Sequence, residues 1–289
     1  MVSCIICSRS ADIPQELKEN INTTIGCNYE LVVIDNCTNR YSIFSAYNEG
    51  VRRAKGDILC FMHEDILFHS EDWGKIVEVF FREKGDDAGL LGVVGGQFIP
   101  KTVAYWGDGG CDYGIIIQGN FTLHGQYVAE KRGNSFDGSE LEVAAVDGQW
   151  FCIPKLVFDI IQFDEKYYSG FHSYDMDICM QILQKQKKCF ITNKILIEHK
   201  SGGSDDANFL YWNQMFYEKW KDSLPIQRGI TLSKEEIRQR TTIVDRMHTY
   251  MRQYHKLDHE LSVIRNSYSY KIGRILLFPV HFFKRLMRQ

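Results

Sequence analysis

The chain is poor in proline, with 5 residues among 289, and 44% of it is hydrophobic. That combination excludes a disordered, collagen-like or low-complexity polymer. No apolar run reaches the roughly 18 to 20 residues of a membrane span, and the first, Val2 to Cys7, is too short for a signal peptide. A protein that begins in the cytosol is expected. Glycine is missing from Ser8-Arg9-Ser10-Ala11-Asp12, the loop after that first run, and G-x-x-x-x-G-K-[ST] occurs nowhere. Without glycines a dinucleotide pyrophosphate has no close approach to the backbone, so dehydrogenases and P-loop nucleotidases fit poorly. His63-Glu64 lacks the second histidine of a zinc-protease helix. The nine cysteines frame no small fold, and Cys4-x-x-Cys7 has no second pair at zinc spacing, so reduced, mostly buried thiols are expected.

The formal charge is −3, but residues 271–289 hold Lys271, Arg274, Lys284, Arg285 and Arg288 and no acid. The remainder is therefore more acidic than the total suggests, and nucleic acid is not an expected partner.

Short β-branched runs alternate with helical patterns. Val2–Cys7, Glu30–Asp35 and Asp57–Met62 read as buried strands. Between Ser42 and Gly56, Phe44, Tyr47, Val51 and Ala54 fall at helical spacing behind a Ser42 cap. Ser70 is the expected cap of a further helix that buries Trp73, Ile76, Val77, Phe80 and Phe81 and ends near Gly85. Residues 91–145 are glycine-rich and irregular, with hairpin-like pieces at Gly114–Gln118 and Tyr127–Glu130. Val143–Ile153 then reads as one strand, Met176–Lys187 as a helix, and Cys189–Thr192 and Ile195–His199 as strands. Ser233 and Glu236 form a capping box before a helix to about Arg265, along which Val244, Met247, Met251, Tyr254 and Leu261 make a thin stripe. That stripe either packs on the main body or pairs two copies of the chain, through 234–265. The alternation predicts an α/β fold with a mostly parallel sheet flanked by helices and a C-terminal helical extension.

The candidate chemistry sits at strand ends, where open α/β sheets bind ligands. Asp35 ends the second strand, His63-Glu64-Asp65 follows the third, and His172-Ser173-Tyr174-Asp175-Met176-Asp177 and His199 come later. Read singly, each is as well explained as a turn, cap or first-turn acid. Their order, with Asn48, Gly50 and Lys55-Gly56-Asp57 before the acidic motif, and Val146-Asp147-Gly148-Gln149-Trp150-Phe151 and Phe163-Asp164-Glu165 after it, resembles a GT-A glycosyltransferase of the inverting family 2 type over residues 1 to about 225. Lys219-Trp220 and Ser269-Tyr270-Lys271-Ile272-Gly273-Arg274 look like the tails of such enzymes. Where that family usually has D-x-D, this chain has His63-Glu64-Asp65, the pattern of an H-x-D branch.

The resemblance implies a catalytic domain over 1–230, with a nucleotide-sugar half at 1–110 and an acceptor half at 111–230, and an extension over 231–289. It implies a nucleotide-sugar donor, a UDP-sugar foremost, held by Ser8, Asp35, Asn48 and Asp65. Asp65 and His199 would hold Mn²⁺ or Mg²⁺, with His63 either a third ligand or a donor to phosphate. Asp175 takes the position of the catalytic base. His172 and Tyr174 either contact the acceptor or support Asp175, and Trp150 is the first choice for stacking on a sugar, with Trp106 and Tyr168 as others. The acceptor would be a glycan or lipid-linked hydroxyl in surface polysaccharide or glycolipid synthesis. Residues 271–289 would then dock on an anionic inner membrane face. The competing readings are an inactive GT-A-like scaffold and a sugar nucleotidyltransferase, the latter disfavoured by the loop at Ser8–Asp12.

Overall fold

The computed structural model describes residues 1–122, 125–202 and 207–272. Its first third comprises β1 (Val2–Ser8), α1 (Gln15–Thr24), β2 (Tyr29–Asp35), α2 (Ile43–Arg53), β3 (Ile58–Met62), β4 (Ile66–Phe68), α3 (Trp73–Lys84) and β5 (Ala88–Gly92). β1 and β3 are buried almost throughout, which is why both read as unbroken apolar runs. α2 starts where expected: Ser42 Oγ accepts the Ser45 N–H at 3.2 Å, satisfying one of the helix's orphan donors. Gly50 lets this helix lie close on β1, since a Cβ there would stand 2.2 Å from Ile5 Cγ2.

α3 departs from expectation at its start. Ser70 does not cap it; its Oγ accepts the Leu196 N–H at 2.9 Å, and the helix begins at Trp73 after Asp72 in a left-handed conformation (φ 57°). The hydroxyl goes to a backbone donor 126 residues away, a partner that local pattern cannot reveal. The helix ends at Gly85 (φ 61°) as expected.

The irregular middle resolves into β6 (Gly95–Gly96), β7 (Phe98–Ile99), β8 (Asp112–Phe121), β9 (Tyr127–Asn134), β10 (Glu140–Val143), β11 (Ala145–Val146) and β12 (Trp150–Pro154). The two hairpin-like pieces belong to one ladder, β8 against β9, running from Gly114 opposite Asn134 to Phe121 opposite Tyr127. The single strand expected over Val143–Ile153 is three strands. Asp147 breaks it by accepting the Gln149 N–H on Oδ1 at 2.9 Å, a side-chain turn that competes with the ladder.

The remaining elements are α4 (Tyr174–Gln184), β13 (Lys188–Thr192), β14 (Ile197–His199), α5 (Ala207–Trp220), β15 (Ile226–Gln227) and α6 (Lys234–Asn266). The α6 capping box is present: Glu236 Oε2 accepts the Ser233 N–H and Ser233 Oγ accepts the Glu236 N–H.

The central sheet has the order β10-β13-β5-β12-β3-β1-β2. β1, β2, β3, β5 and β13 run one way, while β12 is antiparallel to both β3 and β5 and β10 is antiparallel to β13. This is the mostly parallel, helix-flanked α/β architecture expected. In the middle of the sheet Cys4, Cys60 and Cys152 stand side by side across β1, β3 and β12, all fully buried. A second sheet, β11-β6-β8-β14-β4 with β9 on β8, lies beyond the acidic motif, and β15 pairs with β7.

Met1–Asp245 forms one compact unit and Arg246–Gln289 a second. The division falls inside α6. Its first turns belong to the larger unit, where Arg240 Nη1 donates to the carbonyls of Gly109 and Gly110 and Thr102 donates to Asp245. The stripe expected along this helix mixes two faces: Val244 is buried, whereas Met247, Tyr254 and Leu261 are exposed. Of the basic tail 271–289, only Lys271 and Ile272 lie within the described residues, so the expected membrane-docking segment falls outside them. No described helix is long and apolar enough to cross a membrane.

Candidate active site

Ser8, Asp35 and Met62 end β1, β2 and β3 at one edge of the sheet, with Ser8 in register with Asp35. The chain leaves β3 through His63-Glu64-Asp65 and turns into β4, which pairs antiparallel with β14 so that Ile66 stands opposite His199. That pairing brings His63, Asp65 and His199 together. One ligand atom from each lies within 4.8 Å of the others. His63 Nδ1 is 3.3 Å from His199 Nε2, and Asp65 Oδ1 is 3.5 Å from His199 Nε2 and 3.9 Å from His63 Nδ1. Two imidazoles and a carboxylate converging this way suit a divalent cation.

The electrostatics of the triad are internally consistent. Burial alone would raise the Asp65 carboxyl, but hydrogen bonds from His199 and Ser201 hold it well below the usual carboxylate range. Burial would lower the His199 imidazole, yet Asp65 outweighs it and raises it. Desolvation and then the neighbouring His199 push His63 the other way, below its ordinary value. Of the two imidazoles, His199 is therefore the more basic.

A hydrogen-bond chain assigns the His63 tautomer. The Tyr174 hydroxyl lies 3.0 Å from the Gly148 carbonyl and 2.7 Å from His63 Nε2. A carbonyl only accepts, so Tyr174 gives its proton to Gly148 and takes one from His63 Nε2. The Nδ1 lone pair of His63 is thereby turned toward Asp65 and His199. Gly148 makes the contact feasible, because a Cβ there would stand 2.2 Å from the Tyr174 oxygen.

Tyr174 opens α4, and Asp175 follows it. Ser173, in a left-handed conformation (φ 63°), reverses the chain just before the helix. Asp175 is 7% exposed. Burial and then the Asp147 carboxylate push its carboxyl up to about 7, against the opposing backbone N–H groups of Met176, Asp175 and Gly148. It lines a cavity of about 660 Å³ whose wall also carries His63, His199, Asp147 and His172. Asp147 stands in the Val146–Phe151 motif but outside the candidate site residues, and its Oδ2 accepts the Tyr105 hydroxyl at 2.8 Å and the Trp106 indole N–H at 3.1 Å. The signal for it was an acid inside what read as a continuous buried strand.

Other expected residues are placed differently. Trp150 is fully buried, edge-on to Phe68 and Trp73, and offers no face to a sugar. Tyr168 likewise stacks on Phe44 in the core, whereas Trp106 lines the cavity. Asn48 is buried, and its side chain both donates to the Phe163 carbonyl and accepts the Phe163 N–H, so it braces a loop rather than facing a donor. Ser8 is fully buried and gives its hydroxyl to Glu64 Oε2 at 2.6 Å, which in turn binds Arg9 through Oε1 at 2.7 Å. Asp35 is exposed and accepts the Cys37 N–H, which lowers its carboxyl. His172 lines the cavity beside Phe209, while Tyr174 serves His63. Asp177 is 1% exposed and accepts from Lys219, Trp220 and Gln181, fastening α5 to α4.

Residues 3–216 match the model of a family described as a glycosyltransferase-like family, and the chain belongs to it. No match was found among curated proteins. Among solved structures, one of GalNAc-T7 with UDP, GalNAc and Mn²⁺ superposes with a TM-score of 0.50 at 13% identity, over 77% of this chain and 49% of that one. The chain therefore spans about half the length of that protein and shares its fold, GT-A. A197 from STIV is a more distant similarity, with a TM-score of 0.39 and 12% identity over 68% of this chain and 84% of that one.

Proposed function

We propose that this protein transfers a sugar from a nucleotide-sugar donor, of the UDP-sugar class, to an acceptor hydroxyl with inversion at the anomeric carbon. The reading rests above all on one juxtaposition: a buried carboxyl titrating near 7, Asp175, shares a cavity with the imidazoles of His63 and His199. Asp175 accepts the acceptor's proton while that oxygen bonds to the anomeric carbon and the bond to the diphosphate breaks. A base with a pKa near the working pH is suited to that task. A single displacement inverts the configuration.

His63, Asp65 and His199 would hold a divalent cation. When bound, it offsets the charge that develops on the departing diphosphate. Two nitrogen donors and one oxygen favour Mn²⁺ over Mg²⁺. Asp35, anionic at the end of β2, takes the nucleobase or ribose, and His172 with Trp106 faces the acceptor. The UDP, GalNAc and Mn²⁺ named with GalNAc-T7 support a donor and a metal of these classes. The acceptor class is a glycan or lipid-linked hydroxyl.

The test is a panel of nucleotide sugars with Mn²⁺, scored by nucleoside diphosphate release and by the anomeric coupling constant of the product. Asp175→Asn should lower transfer by roughly 10² to 10⁴ with donor affinity little changed. Near-full turnover by that variant would remove Asp175 as the base, and a retained configuration would reject the single displacement.

A further inference from the structure

The distal part of α6 carries an apolar stripe other than the one its composition first suggests. Ile243, Tyr250, Leu257 and Ile264 recur every seven residues, and all are exposed. Met247, Tyr254 and Leu261 recur at the same interval between them, also exposed. The spacing alternates four and three over three heptads without interruption. Exposure on the helix runs to 66% at Ile243, 67% at Tyr254 and 58% at Leu257. A straight α-helix repeats every 3.6 residues, so a strict seven-residue repeat stays on one face only if helices wind around each other. A stripe made to pack on a globular surface has no need of that repeat.

We infer that α6 pairs with the α6 of a second copy of this chain as a parallel coiled coil over residues 243–264. The flanking positions favour this occupant. With Met247, Tyr254 and Leu261 at position a and the other four at d, position g holds Arg246, Gln253 and Glu260, and position e holds Val244, which is buried, and Met251, Asp258 and Arg265. In a parallel pair, g of one helix faces e of the other five residues on. Glu260 then meets Arg265 of its mate, Gln253 meets Asp258, and Arg246 meets Met251. By symmetry the Glu260–Arg265 ion pair occurs twice, and no like charges oppose. An antiparallel pair over the same stripe would instead set Arg246 against Glu260 and leave Arg265 without an acidic partner, so Arg265 is the residue that tells the two apart. The tyrosines at a and d bring large, amphipathic rings whose hydroxyls reach solvent at the seam's edge.

Sedimentation equilibrium of the full chain from about 1 to 100 µM tests this, and it requires no substrate. Chains should associate, and Leu257→Asp with Leu261→Asp should weaken association at least tenfold. Because both leucines are exposed in the single chain, the melting temperature of the main body should stay put. Glu260→Arg should weaken pairing and Glu260→Arg with Arg265→Glu should restore it, as only the parallel register requires. A chain that stays monomeric throughout overturns the inference. So does association indifferent to the aspartate pair, or a stripe that serves only to bind anionic vesicles.

Discussion

The Tyr174 hydroxyl stands 2.7 Å from His63 Nε2 and so joins the helix that carries Asp175 to the triad that includes Asp65 and His199. The contact decides which imidazole nitrogen has a free lone pair, and it does so through a phenol that desolvation keeps protonated.

Removing that hydroxyl should therefore loosen metal binding without unfolding the protein. Tyr174→Phe frees His63 to take the other tautomer, and loss of such an outer partner is worth about 10- to 100-fold in affinity. Calorimetric titration with Mn²⁺ checks it. An unchanged affinity would mean that Asp65 and His199 orient the ion alone.

A proton on His199 would compete with a cation held by the proposed triad. Because Asp65 raises the imidazole above its ordinary value, Mn²⁺ affinity should fall as pH drops through that raised value, by about tenfold per pH unit below it. The same titration in buffers of different ionisation enthalpy should show a proton released on binding. His199→Ala should abolish the release.

Asp175 sets a second pH dependence, of opposite sense for activity and stability. In its proposed role as base Asp175 must be ionised, so kcat/KM should rise with pH and level off above about 7. Stability runs the other way. The folded carboxyl holds its proton more tightly than the unfolded one, so between the ordinary carboxylate range and about 7 the native state binds more protons, and stability is lost as pH rises. Asp175→Asn should raise the melting temperature at pH 8 and leave it nearly unchanged at pH 4. An equal shift at both pH values would show that the gain is not electrostatic.

Asp177 tests the support behind the site. Its carboxylate receives Lys219 at 2.7 Å and the Trp220 indole at 2.8 Å from α5. Asp177→Ala leaves the Trp220 indole N–H without its acceptor and takes one of two carboxylates from the Lys219 ammonium, a loss of about 1 to 3 kcal/mol. Urea denaturation measures it, and a change under 1 kcal/mol would show that Asp164, 2.8 Å from the same ammonium, suffices.

Local signals were legible where the causes are local. The buried runs of β1 and β3, the Ser42 cap and the Ser233–Glu236 box all act within a few residues, and each stands where the pattern puts it. His63 and His199, 136 residues apart, meet only because β4 pairs with β14, a partnership with no mark in either segment. Asp147 belongs to a motif that carries the resemblance, but its place in an apparent strand hides its role, although an acid in a continuous buried run is itself a sign of a break. Ser8 and Asn48 follow from the resemblance and Trp150 from its residue type, and neither ground tells a buried brace from a side chain that faces ligand.

The thiols of Cys4, Cys60 and Cys152, aligned across the middle of the sheet, have a bearing on how the protein ages. Burial holds all three in the unreactive thiol form, whereas Cys37 is exposed. An oxidant thus reaches the central row only during openings of the sheet itself. Once one of those sulfurs becomes a sulfinic acid, the charge has no place between packed strands and the sheet cannot close again. Damage in this molecule should accumulate as lost molecules rather than as weakened ones.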